Sequence, residues 1–471
     1  MGTVQHPLVY EIHTAAFLHR LSKAHDRHIT LGSVPASEWD RLAQLGVQTV
    51  WLMGVWQRSP AGARLSMANK TFLPELREAV PGLHARDVIG SAYCIKEYVV
   101  DDMFGGPEGL AKTRKQLADR GIGLMLDFVP NHTAPDHPWI SKHPDFYIRG
   151  ETHDFKKDPA SFLHIGHTVY ARGRDPHYAA WPDVVQLNAF SEGYRQAAIN
   201  TLRSIADQAD AVRCDMAMLM CSNIFAKTWG ERAGTAPTVE FWEEVIAAVK
   251  KTHPDFTFLA EAYWDTEAEL LRQGFGYCYD KTLYDLLLEG SSRGIRHYIG
   301  KLDEAQIHFC RFSENHDEQR AAAALPLDQS RVAAAAIMTL PGMKLLHDGQ
   351  MEGMRVKIPV HVNHGPTEKP NQELQSFYEQ LLAATASLRT KNLRWHLWHV
   401  DNPQLLVWEW RNDHRRYVVV INYAGNPTHF TLHLDKAELL TEELSKQPIN
   451  TDEPGRFSVQ LQPWDIKLFS N

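Results

Sequence analysis

One rhythm constrains this chain more than anything else. From residue 9 to about residue 389, a short apolar run, a loop and an amphipathic stretch follow one another again and again. "TVWLMGV" (49–55), "IGLMLDFV" (122–129), "DAVRCDMA" (210–217), "FTFLAEAYW" (256–264), "IHFCRFSENHD" (307–317) and "MKLLHDG" (343–349) are nearly continuous in apolar residues. Parallel strands read this way, because helices cover both faces of the sheet and neither face meets water. "LVYEI" (8–12) and "FGYCYD" (275–280) bring the number of strands to eight. Helical spacing fills the intervals. Ser37 is placed to cap "EWDRLAQL", with Leu42 and Leu45 inward and Gly46 where the helix stops. "PEGLAKTRKQLADRG" and "VEFWEEVIAAVKK" repeat the pattern. Alternation this long, with no Gly-rich dinucleotide fingerprint, predicts an α/β fold of the (β/α)8 TIM-barrel type rather than a doubly wound sheet.

Two segments break the rhythm. Residues 131–188 are rich in His, Pro, Asp and aromatics and carry little periodicity, which predicts an inserted subdomain after strand 3. Residues 391–471 hold short alternating strands such as "YVVVINY" and "RFSVQLQPW", with Phe457, Val459 and Leu461 inward. They predict a C-terminal antiparallel β-sandwich domain. The barrel then comprises residues 1–130 and 189–390, and 471 residues suffice for these three units. The net charge of −8 arises from interspersed signs, and no basic stripe carries interleaved aromatics, so nucleic acid is not expected as a partner. No stretch of eighteen apolar residues and no leader pattern is found, so membrane association is not expected. Five cysteines, odd in number and scattered, read as reduced thiols in a cytoplasmic protein.

In such a barrel the chemistry gathers at the C-terminal ends of the strands. Those ends carry Asp127, Arg213 and Asp215, Glu261, and His316 with Asp317. Arg213 and Asp215 are two apart, so on a strand both point the same way. A neighbouring guanidinium lowers a carboxyl pKa and keeps a nucleophile ionised. Glu261 lies among Ala260, Ala262 and Tyr263, an apolar setting that raises a carboxyl pKa as a general acid requires. The bland alternatives are a structural ion pair for Arg213 and Asp215, a turn for Asn315-His316-Asp317, and a core role for Tyr93. Three such sites in barrel order favour chemistry over coincidence.

"DFVPNH" (127–132), "VRCDMA" (212–217), "AEAYW" (260–264) and "SENHD" (313–317) resemble, in order and spacing, the four signature regions of the α-amylase family of glycoside hydrolases and transglycosylases. "GSAYCIKEYVVDDMFGG" (90–106) is similar to the family segment that carries a sugar-stacking tyrosine. The resemblance covers essentially the whole chain, with the insertion as the family's domain B. It implies that Asp215 attacks the anomeric carbon, that Glu261 protonates the leaving oxygen, and that Asp317 holds sugar hydroxyls. It further implies that His132 and His316 bind hydroxyls, that Tyr93 stacks on the ring, and that Arg213, backed by Asp127, orients Asp215. The substrate implied is a small α-linked gluco-oligosaccharide, handled with retention of configuration. Where many members carry a Lys-His pair, this chain has Met218 and Leu219, so short substrates are expected over starch.

No cofactor or metal is expected. Asn131 matches a family calcium ligand and Asp183 could assist, but two residues do not make a cage of six to eight oxygens. "HIGH" (164–167) and "HVNH" (361–364) lack a third zinc ligand. Trp139, Phe146, Tyr147 and Trp181 are either sugar platforms or the insertion's own core, and the loop 350–370 is long enough to wall one side of a site. Hydrolysis, transfer or isomerisation through the same intermediate, and a non-catalytic scaffold role remain the competing functions.

Overall fold

The computed structural model describes residues 6–390, 392–433, 440–449 and 455–471. Eight parallel strands close into a barrel: β1 (Leu8–His13), β2 (Thr49–Met53), β3 (Gly123–Phe128), β4 (Ala211–Cys214), β5 (Thr257–Ala260), β6 (Tyr277–Tyr279), β7 (Phe309–Arg311) and β8 (Met343–His347). Each strand bonds to the next in sequence, and β8 returns to β1. Side chains alternate across a strand with a period of two, so one parity of each strand faces the barrel axis. Val9, Trp51, Met125, Ala211, Leu259, Tyr279, Cys310 and Met343 form the packed interior. The opposite parity (Tyr10, Val50, Leu126, Val212, Phe258) joins the core between barrel and helices. Two residues along from this apolar plug, the inward parity turns polar, with Glu11, Asp127 and Arg213, all buried. The next positions are His13, Asp215 and Glu261. The site is therefore the top layer of the barrel's own side-chain stack.

The first amphipathic stretch forms a helix over Ala36–Gln44 whose N-cap is Pro35, with no side-chain cap. Ser37 falls inside the first turn and does not cap it: proline's fixed φ already presets the helix entry. Leu42 is buried, Leu45 is half-buried, and Gly46 stops the helix at φ +75°. An insertion not foreseen from the sequence follows β2. It carries helices Pro60–Ala68 and Leu73–Ala79 and a hairpin of Trp56–Arg58 with Ile95–Val100.

The excursion after β3 contains a pair of strands, His132–Thr133 with Val185–Gln186, and a three-stranded sheet over Arg149–Gly150, Phe162–Ile165 and Thr168–Ala171. Phe146 and Tyr147 are buried, and Trp139 packs edge-on against Phe146 at 5.6 Å. These three aromatics are core and not sugar platforms. At the C-terminus a six-stranded sheet and the pair Thr428–His433 with Arg456–Leu461 are all antiparallel. Leu405 and Val407 face Phe457 and Leu461, while Leu406, Trp408 and Trp410 join the main core. The Trp410 indole N–H donates to the Thr339 carbonyl at 2.6 Å. Among the described residues no helix is long and apolar enough to cross a membrane.

Candidate active site

Asp215 and Glu261 each lie one residue beyond a strand and extend its ladder. The Asp215 N–H donates to the Phe128 carbonyl at 2.8 Å, and the Glu261 N–H to the Cys214 carbonyl at 3.0 Å. Cys214 is registered against Ala260, so the two carboxylates stand side by side on adjacent strands. Arg213 lies between them, fully buried. Its Nη1 is 2.7 Å from Asp215 Oδ1 and its Nη2 is 2.7 Å from Glu261 Oε2. Asp127 and Asp317 approach the same guanidinium at 3.9 and 3.8 Å. The rings of Tyr93 and Trp51 lie 5.1 and 5.4 Å from its carbon, a cation–π setting that fixes its plane. Asp127 accepts from the Trp51 indole at 3.2 Å and the Gly54 N–H at 3.0 Å, which hold it behind the arginine.

Beyond Asp215 the chain turns sharply. Met216 adopts φ +43°, a left-handed conformation uncommon for a side chain of its size. The turn brings the Met216 N–H to 2.6 Å from Glu261 Oε2, while the Tyr263 hydroxyl donates to Oε1 at 2.8 Å. Glu261 is thus not in the apolar setting its sequence neighbours suggest: a guanidinium, a hydroxyl and an amide surround it. The same turn ends the strand parity and carries Met218, fully buried, into the core between barrel and helices, whereas Leu219 (3% exposed) is as buried as Glu261 itself. The expectation that these two residues meet the leaving group is corrected for Met218.

Electrostatics correct a second expectation. The Asp215 carboxyl is not lowered but pushed up to about 7, by burial against the pull of Arg213, with the charge of Glu261 adding to the rise. One cation is shared among four carboxylates, and at Asp215 and Asp127 its pull does not offset desolvation. Burial likewise takes Asp127 up to about 6. His316 behaves oppositely. Burial would lower it, but Asp317 at 3.0 Å and Glu11 at 2.5 Å raise it to about 10. Burial works against ionised Asp317 and Glu11 too, yet His316 holds both below the ordinary carboxylate range.

His316 is raised from 6.5, so the stability of this cluster is fully present below about pH 6.5 and lost as pH rises through about 10. Removing one partner of a buried pair costs about 3–5 kcal/mol. Glu11→Gln should therefore lower the melting temperature clearly at pH 7 and much less at pH 10.5. Equal losses in thermal melts at the two pH values would contradict the ion pair.

Tyr93 stacks on His316 (5.3 Å between ring centres, 25° between planes), and its hydroxyl lies 2.8 Å from His316 Nε2. His132 is buried against the Tyr93 backbone and lowered to about 4 by that burial, so it is neutral. Trp181 lies 5.2 Å from the His132 ring. The structure thus gathers Asp127, Arg213, Asp215, Glu261, His316, Asp317, Tyr93 and His132 in one place.

Asn131 and Asp183 do not fit calcium. The Asn131 carboxamide is taken up by Gln186 at 2.9 and 3.2 Å, whereas Asp183 faces Ser66 and His361. His361 packs on Phe72, His364 stacks on His19 and His164 meets Phe155, so three of the four paired histidines serve packing. The sequence reading missed Glu11 and the Tyr263 contact. The signal for Glu11 was there, since a carboxylate inside the apolar run "LVYEI" is costly unless partnered.

A closed eight-stranded barrel with this polar cluster at its C-terminal mouth is the architecture of a (β/α)8-barrel enzyme. Residues 36–275 match the model of the alpha-amylase catalytic domain, just over half the chain. The alpha-amylase MalA of Haloarcula japonica is 25% identical over 332 residues, covering 66% of this chain and 44% of that protein. An alpha-1,4-glucan:maltose-1-phosphate maltosyltransferase of Rhodospirillum rubrum is 32% identical over 153 residues, covering 31% and 17%. The chain spans about half or less of the length of such curated relatives. An alpha-amylase from Lactobacillus plantarum superimposes with a TM-score of 0.72 at 18% identity, covering 99% of both chains. A maltogenic alpha-amylase, AmyB, from Thermotoga neapolitana gives 0.71 at 19%, covering 100% and 99%. The chain belongs to the alpha-amylase family and is an enzyme of that family.

Proposed function

We propose that this enzyme is a retaining glycosidase acting on α-linked gluco-oligosaccharides through a covalent glycosyl-enzyme intermediate. The observation that carries this reading is the single buried guanidinium of Arg213, which touches carboxylates from two adjacent strand ends. Neighbouring strands lie about 4.8 Å apart, which suits the roughly 5–5.5 Å between carboxyls in retaining enzymes. Asp215 attacks the anomeric carbon while Glu261 gives its proton to the leaving oxygen; Glu261 then takes a proton from the incoming water. The charge of Glu261 is one of the causes raising Asp215. A proton on Glu261 removes that charge and so favours the ionised Asp215 that the attack requires. Asp317, His316 and His132 hold hydroxyls of the sugar being cleaved, and Tyr93 backs its ring. None of these steps calls on a cofactor. Five buried cysteines without a disulfide suit a reducing compartment, and we place the reaction in the cytoplasm.

Transfer to an acceptor sugar is the second reading. Half-exposed Trp264 packs against His177 (4.6 Å) beside a cavity of about 530 Å³ reaching Asn223 and Lys227, a platform beyond Glu261 for an acceptor. The related maltosyltransferases favour the same reading. Proton NMR during the first minutes on maltotetraose should record the α-anomer first. Initial β-anomer would make Asp215 a base for water and end the retaining assignment. Chromatography of the same samples separates hydrolysis from transfer, because only transfer yields products longer than the substrate.

A further inference from the structure

The loops after β2 and β8 flank β1, and they are welded together over its end. The Ile89 N–H donates to the His361 carbonyl at 2.9 Å, the Ala92 N–H to Val360 at 3.1 Å, and the Asn363 N–H to Asp87 at 3.0 Å. Val88 bridges Val362, and the seam holds its own apolar core of Leu76, Val80, Val88 and Val362, with Val356 and Ile358 packed on it. The buried Arg58 guanidinium crosses the seam, donating to Gly90 at 2.7 Å and Val360 at 3.1 Å. The wall's inner edge consists of the site's own neighbours. The Lys357 ammonium donates to the Asp317 carbonyl at 2.7 Å and lies 3.9 Å from Glu75. The Pro359 backbone faces the His13 imidazole, and Ala92 precedes the Tyr93 platform.

We propose that this wall makes the site dead-ended, so that the enzyme takes glucans only by a free non-reducing end. The inference rests on the glycosidase reading above, which fixes the direction of the bound sugar. The leaving group lies toward Glu261 on the β5 side, so the non-reducing end points toward Asp317, Lys357 and the wall between β8 and β2. On the opposite side Trp264 and Asp265 hold left-handed conformations (φ +62° and +58°) beside the cavity, and that side stays open. Such left-handed residues persist only where the surroundings over-determine them. A chain can therefore trail out past Trp264 but cannot continue past Lys357.

The test compares two nitrophenyl maltoheptaosides, one with a free non-reducing end and one capped there by a 4,6-acetal. Consumption of each is followed by chromatography. The capped compound should be consumed with a kcat/KM lower by about a hundredfold, since the cap must displace packed backbone rather than a mobile side chain. The free compound should first release one short sugar of fixed length. A capped-to-free ratio above about one tenth, or a spread of initial products, overturns the dead-ended site while leaving the glycosidase reading intact. Turnover of neither compound overturns the glycosidase reading, and this inference falls with it.

Discussion

Asp215→Asn should abolish turnover and yet melt at a higher temperature than the parent. On the proposed mechanism the change removes the nucleophile and should lower kcat by about 10⁴-fold or more. The gain in stability follows from the direction of the Asp215 shift. Its folded pKa, pushed up to about 7 from 3.8, means that the fold opposes its ionised form. The sign is the reverse of the usual surface carboxylate. The favourable contribution is complete below about pH 4 and is lost as pH rises through about 7. At pH 8 the ionised side chain costs on the order of a few kcal/mol, and an asparagine lifts that cost. Its carboxamide oxygen can still accept from Arg213 Nη1, now 2.7 Å from Asp215 Oδ1, so the Arg213 donor keeps its acceptor. Calorimetry should record a rise of about 2–5 °C at pH 8 and little change at pH 4. A fall at pH 8 would mean that Asp215 is a structural partner of Arg213 first and a reactive group second.

What was legible in the sequence is what strand parity controls. Arg213 and Asp215 are two residues apart on one strand, and parity alone aims both at the barrel axis. Asp127 and Arg213 share a register level, which places the second carboxylate behind the arginine. The barrel itself was written in apolar runs that only doubly covered strands need.

Legibility ended where parity did. One left-handed residue, Met216, turns the chain out of the strand, and Met218 passes from the expected cleft into the core. The Asp215 shift was misjudged because its cause is spread over several strands: Arg213 was read as its private partner, whereas Glu261, Asp127 and Asp317 share that cation. The insertion after β2 was not foreseen, because its apolar face is completed by Val356, Ile358 and Val362 from a loop far away in sequence. Glu11 was passed over for a similar reason, since its partner His316 lies on the far side of the chain and only barrel closure brings the two to 2.5 Å.

Arg213→Met should produce the largest stability loss of any single change in the barrel, and the loss should depend steeply on pH. The side chain is fully buried and is the common counter-ion of Asp215 and Glu261, with Asp127 and Asp317 nearby. Methionine fills similar volume, so packing changes little, but three buried carboxylates are left without a cation. Breaking a buried pair in this way costs about 3–5 kcal/mol, because the remaining charge is stranded. The stranded groups can escape by taking up protons, which is easy at pH 5 and costly at pH 8. The expected result is a melting temperature lowered by about 3–5 °C at pH 8 and by less than about half of that at pH 5, with no turnover at either. Arg213→Lys separates charge from geometry. One ammonium is a point charge and cannot reach Asp215 and Glu261 through two nitrogens at once. Lysine should recover much of the melting temperature at pH 8 and little of the activity. If methionine lowers stability equally at both pH values, Arg213 acts through packing alone. Its place between the two carboxylates would then say nothing about how the site is charged.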